Sequence, residues 1–230
     1  MIKNIFFLCL LFCLSCSSDN IIRSEKTDFY NIYKDIIIRG PVPSLEGKKK
    51  EQLVYNREWL SKFNQPIILL SSLDGKKAAI LVILGNYQNK LTWVSSDGIS
   101  ISFEDGILIA TRGYSQDLIE AQHEDLDKLF TQNILNRFKT YRFLNGKNRY
   151  EEMKFSCSVK SEQSRDSKIL NVPLKTTKFI ESCQADKARH TNEYYVLPNT
   201  NIVIKSKQWI SKANGYVIIH NYYAFQNNLL

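Results

Sequence analysis

The dipeptide Asp-Gly stands three times between short apolar runs, at Asp74-Gly75, Asp97-Gly98 and Asp105-Gly106. Asp-Gly in that setting is a strong hairpin signal, because a type I′ turn needs φ > 0 at both central residues. The flanking runs are residues 67–72 and 78–84, 91–95 and 99–103, and 99–103 and 107–111. Three such turns in succession predict an antiparallel meander. Ile99, Ile101 and Phe103 alternate with Ser100 and Ser102, the pattern of a half-buried strand. Residues 78–84 are apolar on both faces and predict a central strand covered by a helix. The stretch 115–136 is polar and interrupted, and Leu126, Leu129, Phe130 and Ile134 within it predict one short helix. Further strands are expected at 137–144 and 149–159 around Asn145-Gly146, then at 175–184, 193–197, 201–210 and 216–223, with Asn214-Gly215 turning the last pair.

Two helices are expected before the first strand. Phe29, Ile32, Tyr33, Ile36 and Ile37 make one apolar stripe, which Thr27 caps and Gly40-Pro41 stops, predicting a helix over 28–38. A shorter one over 57–63 has Asn56 as its cap. The reading is a mainly β chain with a few short helices, and a single β-rich domain over 27–230.

The N-terminus constrains location. Lys3 precedes an apolar run over 5–14 that is long enough for a signal-peptide core and too short to span a bilayer. Leu14-Ser15-Cys16-Ser17 follows and resembles a bacterial lipobox. Residues 1–15 would be removed, Cys16 would carry the acyl chains (palmitate among them), and 16–26 would form the anchor and tether. Several acyl chains at about 0.8 kcal/mol per buried CH₂ hold a protein on a bilayer without a spanning helix. Ser17 follows the anchor where an inner-membrane retention signal places Asp, so the expected site is the outer membrane, facing the periplasm. The alternative is an ordinary leader cut near Ser18.

Of five cysteines, Cys9 and Cys13 leave with the leader and Cys16 is the anchor. Cys157 and Cys183 remain in an oxidising compartment, where a disulfide is the natural pairing and two buried free thiols the alternative. No CxxC or HxxxH spacing offers a metal site.

The 230 residues are 43% hydrophobic and 23% charged, with a formal charge of +8. That balance suits one globular domain and allows anionic partners without choosing one. Export disfavours nucleic acid. There is no GxSxG elbow, no GxGxxG and no Walker A loop. His123, His190 and His220 lack ligand spacing, and Glu120, Glu124, Asp125 and Asp127 read as a solvated face. No catalytic residue, cofactor or metal is expected. Alternation along 137–144 puts Arg137, Lys139 and Tyr141 on one face, a mixture able to grip an anionic polymer. The alternative is a solvated sheet face.

From Leu91 onward the residues follow a more specific pattern. Trp93-x-Ser95-x-Asp97-Gly98 is followed by Asp105-Gly106-Ile107-Leu108, by Thr111-x-Gly113 and by Asp117-Leu118. Glu193-Tyr194-Tyr195-Val196 then leads to Ser206-x-Gln208. This resembles the GfcB/YjbF family, the group 4 capsule and exopolysaccharide lipoproteins, with Ile107, Tyr114 and Tyr195 where the family pattern has Arg, Leu and Trp. The resemblance implies a large, strongly bent antiparallel sheet, a half-barrel or sandwich-like meander, in an outer-membrane lipoprotein. It implies an accessory role in polysaccharide assembly or secretion beside an outer-membrane β-barrel and periplasmic export proteins, with the polysaccharide itself as a candidate partner. The motif residues Trp93, Asp97, Gly98, Gly106, Thr111 and Gly113 have structural roles that need no ligand. The rival reading is a carrier holding a lipid or other apolar ligand in the sheet's concavity.

Cys16 is the only cysteine after a small residue at the end of the apolar run. Cys16→Ala is expected to abolish acylation and release the protein from the membrane fraction. Labelled palmitate on that variant would refute the assignment.

Overall fold

The computed structural model describes residues 60–226, except 62, 76, 132–133, 145–148 and 171, and leaves out the side chains of 127, 134–135 and 163–168. The leader, Cys16, the tether and the helix expected over 28–38 lie outside the described residues, as does most of the helix expected over 57–63.

Twelve strands form one antiparallel sheet. They are β1 (Ile67–Ser72), β2 (Ala78–Tyr87), β3 (Lys90–Ser95), β4 (Ser100–Glu104), β5 (Ile107–Arg112), β6 (Leu118–His123), β7 (Ile134–Leu144), β8 (Tyr150–Ile169), β9 (Val172–Ala185), β10 (Ala188–Val196), β11 (Val203–Ser211) and β12 (Gly215–Asn221). The order across the sheet is β5-β4-β3-β2-β1-β12-β11-β10-β9-β8-β7-β6. The two outermost strands are consecutive in sequence, so the sheet curls into a nearly closed barrel. The expected mainly β, bent antiparallel architecture is the one observed.

The Asp-Gly positions all turn the chain, but not alike. At Asp105-Gly106 both φ values are positive, 50° and 82°, as a type I′ turn requires. At the other two only Gly75 and Gly98 are positive. Near Gly98 the turn closes through its N–H to the Ser95 carbonyl (3.1 Å), and the Ser95 hydroxyl donates to the Asp97 carboxylate. β2 lies between β1 and β3 as expected, with Leu81 and Val82 buried on its opposite faces. The helix expected over it is outside the described residues.

Three expectations are corrected. The polar stretch 115–136 contains a strand, β6, as well as the short 3-10 turn Leu126–Lys128. β8 runs on to Ile169, so residues 160–168 extend a long hairpin with β9 where the polar composition suggests a loop. β10 begins at Ala188, five residues before the expected start.

The inner face is filled. One apolar cluster reaches from Ile68 and Trp93 through Phe143 and Phe155 to Trp209 and Ile219. A second, built on Ile107, Leu129, Phe179 and Tyr194, takes the Phe130 ring at 5.4 Å from both Phe179 and Tyr194. Cys157 and Cys183 face each other across β8 and β9 with Cα atoms 4.0 Å apart and are joined in a disulfide. Both are buried in the first cluster, Cys157 on the face it shares with Phe155 and Cys183 on the face it shares with Phe179. The bond fastens two paired strands, and no loop.

Replacing both cysteines by alanine is expected to lower stability by about 2–4 kcal/mol, because closing the intervening loop restricts the unfolded chain. Thiol labelling of the oxidised, denatured protein should find no reactive Cys157 or Cys183. Two labelled thiols at these positions would refute the bridge.

Candidate functional site

The strand expected to carry an anionic-polymer contact presents it inward. Arg137 and Lys139 are each 1% exposed and Tyr141 is 2% exposed. Their parity is shared as predicted, but the face they share is the barrel interior, while Phe138 points outward at 55% exposure. Alternation reveals which residues share a face and not which face is buried. Apolar content usually decides that, and here a buried anion overrides it. Neither the polymer contact nor the solvated-face alternative survives for these three residues.

That anion is Glu181 on β9, which is fully buried. Its carboxylate accepts from Lys139 Nζ, from Arg137 Nη1 at 3.3 Å, from Asn192 Nδ2 at 2.9 Å and from the Tyr194 hydroxyl at 3.2 Å. Arg137 Nη2 also donates to the Glu124 carbonyl (2.6 Å). Burial by itself would push the Glu181 carboxyl up. The charges of Lys139 and Arg137, with hydrogen bonds from Lys139 and Asn192, outweigh it and bring the pKa down to about 2. Burial lowers the Lys139 pKa, and the Glu181 charge opposes that shift. Glu181 and the sulfurs of Cys157 and Cys183 lie within 4.8 Å of one another. The sulfurs are bonded to each other and the carboxylate is fully engaged, so the group does not form a metal centre.

Beside the cluster, His190 stacks on Trp209 with ring centroids 4.5 Å apart and stands edge-on to Phe155 at 4.8 Å. Neither ring nitrogen has a hydrogen-bond partner among the described residues, and burial lowers its pKa to about 3. His123 is lowered to about 3 by burial and by the Lys139 charge. His220 is lowered to about 4, again by burial first. All three are neutral at physiological pH, in keeping with packed structural roles. The four carboxylates expected on one solvated face do not share a helix. Glu120 lies on β6 and pairs with Arg142 at 2.7 Å, and Asp125 pairs with Lys128 at 2.8 Å.

The motif residues close the barrel. Asp117 accepts from the Thr111 hydroxyl (3.1 Å), the Gly113 N–H (3.2 Å) and the Tyr114 N–H (3.1 Å). Thr111 Oγ1 in turn accepts from the Leu118 N–H (3.0 Å). This knot joins the two outermost strands, β5 and β6, by side chains where no ladder does. Gln208 on β11 reaches across the interior to β5, accepting from the Leu108 N–H and donating to the Gly106 carbonyl, both at 2.8 Å. Gly106 has to be a glycine on two counts, its positive φ and a Cβ that would sit 2.8 Å from the Val203 side chain. Trp93 is buried under the meander. Sequence reasoning did not single out Glu181, Asn192 or Gln208 as lock residues. An acid inside an otherwise alternating strand, Phe179 to Cys183, was the available signal.

Outside the barrel, a groove of about 1190 Å³ runs over β8, β9 and β10 and takes in Phe138. A smaller cavity of about 250 Å³ opens beside Trp93, Phe103 and Ile219.

The model of the group 4 capsule polysaccharide lipoprotein family, GfcB or YjbF, matches residues 38–221. The chain belongs to this family. Membership implies a lipid-anchored protein of the cell envelope. Among solved structures, the crystal structure of the hypothetical lipoprotein YmcC from Escherichia coli (K12) is similar, with a TM-score of 0.60 at 15% identity over 68% of this chain and 85% of that one. At that identity the likeness shows the fold alone. A search of the curated proteins found no match.

Glu181→Gln is expected to cost about 3–5 kcal/mol, since it leaves two buried cations without a counter-ion. Urea denaturation of the two proteins measures the difference. A loss below about 1 kcal/mol would mean that the cluster does not hold the interior.

Proposed function

We propose that this family member is an outer-membrane-anchored, periplasm-facing accessory lipoprotein without enzymatic activity, acting in assembly or secretion of a capsule or exopolysaccharide. The observation that carries this reading is the family match over residues 38–221. The use of the motif residues supports it. Asp117, Thr111, Gly106 and Gln208 are spent holding the barrel shut, and the buried titratable groups are engaged in packing and in one charge cluster.

The carrier reading requires an apolar concavity, and the interior is occupied instead by Tyr141, Phe155, His190 and Trp209 around the Glu181 cluster. The cavity beside Trp93, at about 250 Å³, falls below the roughly 300 Å³ at which ligand pockets begin. A rigid barrel on a short lipid tether suits a protein that positions other components. Acylated Cys16 would fix it to the bilayer, and an outer-membrane β-barrel with periplasmic export proteins would be its neighbours.

Deleting the gene is expected to deplete surface polysaccharide, measured by quantitative staining and sugar analysis of the cell exterior. The unaltered gene should restore it and the Cys16→Ala form should not. Normal surface polysaccharide in the deletion strain would overturn the proposal.

A further inference from the structure

We propose that the outer face of β7–β10 is a glycan-binding groove that takes a largely uncharged stretch of polysaccharide. This rests on the polysaccharide role above and assigns it a surface.

The register of the sheet builds the groove. Phe138 on β7 pairs with Ser156 on β8, Ser156 with Gln184 on β9, and Gln184 with Arg189 on β10. The four residues therefore stand in one row across four strands, a span of about 14 Å at ~4.8 Å per strand. A second row runs beside it through Ser158, Ser182 and Thr191. These rows alternate in sequence with Cys157, Cys183 and His190, which point inward and are buried. The platform is thus backed by the disulfide and the stacked core, and its backbone is held rigid.

The edge of the groove is also built. Backbone pairing between β10 and β11 runs from Val196↔Val203 to Glu193↔Lys207, and beyond it side chains take over. The Thr191 N–H donates to the Tyr216 hydroxyl at 3.0 Å, and the Trp209 N–H donates to Asn192 Oδ1 at 2.8 Å. The sheet opens at this point, and Tyr216 forms part of the groove wall.

The chemistry of the lining selects the occupant. Among the described residues the side chains of Ser156, Ser158, Ser182 and Gln184 make no hydrogen bonds, so their donors and acceptors face outward unspent. That is what the hydroxyl groups of a sugar chain can use. Arg189 adds a planar fork of donors with no ion-pair partner among the described residues. Phe138 offers a ring exposed at 55%, against which the apolar face of a sugar ring can lie. The charges along the groove balance, with Lys154, Lys187 and Arg189 set against Glu151, Glu152 and Asp186. A polyanion such as nucleic acid would require a cationic surplus, and a protein partner an apolar centre. Neither condition is met here. The groove volume, about 1190 Å³, exceeds that of most small-molecule pockets, as a polymer site should.

The test uses the full chain in detergent micelles. The probe is an oligosaccharide mixture made by partial hydrolysis of surface polysaccharide from the cells that produce the protein, and binding is read by calorimetry. Phe138→Ala, and separately Gln184→Ala with Arg189→Ala, should weaken binding at least tenfold. These residues are exposed, so circular dichroism should show the fold intact. Tyr87→Ala, at a side chain 70% exposed on β2, should bind as the unaltered protein does. Absence of binding by the unaltered chain, or unchanged binding by Phe138→Ala, would overturn the proposal. Depleted surface polysaccharide in the deletion strain without any oligosaccharide binding would refute the groove and leave the accessory role standing. Binding at the groove with normal surface polysaccharide in that strain would do the reverse.

Discussion

One buried carboxylate organises this barrel. Glu181 stands inside the sheet with two cations, an amide and a phenol directed at it. An isolated charge in that position would cost several kcal/mol in lost solvation. Its partners come from β7 and β10, so satisfying it fixes how both neighbours of the long β8–β9 hairpin face the interior. The disulfide lies in the adjacent row of the same sheet, where Arg137 pairs with Cys157, Cys157 with Cys183, and Cys183 with His190. Covalent, ionic and aromatic contacts therefore meet in one layer. Such a polar interior is weak evidence for extra stability, because an apolar replacement can be as stable. Its effect is on specificity: a one-residue slip of β9 would carry Glu181 to the outer face and strand both cations.

The far side of the barrel closes by different means. β5 and β6 are the two ends of the sheet, and exposed sheet ends invite unwanted pairing. Asp117 gathers the hydroxyl and amide groups of the corner between them, and Gln208 ties β5 to β11 through the interior. Gly106, Thr111, Gly113, Asp117 and Gln208 of the family pattern are thus bound up in closure. The outer face of β7–β10, where the glycan groove is proposed, is lined by none of them.

Much of the fold was legible because turns and alternation are local. Asp-Gly marked the hairpins β1–β2, β3–β4 and β4–β5, Asn214-Gly215 marked β11–β12, and β1 ran over the residues its apolar run predicted. β6 was missed because Glu120, Gln122 and His123 read as polar loop, although Leu118 and Ala121 point inward. Residues 160–168 fell outside the expected strands for the same reason. Strand pairing to β9, a long-range contact, holds a polar segment extended where composition suggests otherwise. The site was legible only in part. Arg137, Lys139 and Tyr141 were correctly grouped by parity, yet their inward orientation depends on Glu181, more than forty residues away in sequence. Phe138 and Ser156 were visible as residues, but their alignment with Gln184 and Arg189 exists only in the folded register.

Glu181 stands inside the barrel as an ionised, fully paired carboxylate. A pH titration of its side-chain carbonyl carbon by NMR tests this directly. Its folded-state pKa is depressed, so the stabilisation is present above the ordinary carboxylate range and is lost as pH falls from about 4.5 towards about 2. Glu181 should stay unprotonated in the folded protein until pH approaches about 2. A midpoint near 4.5 with the fold intact would show a carboxylate in contact with water and would contradict it.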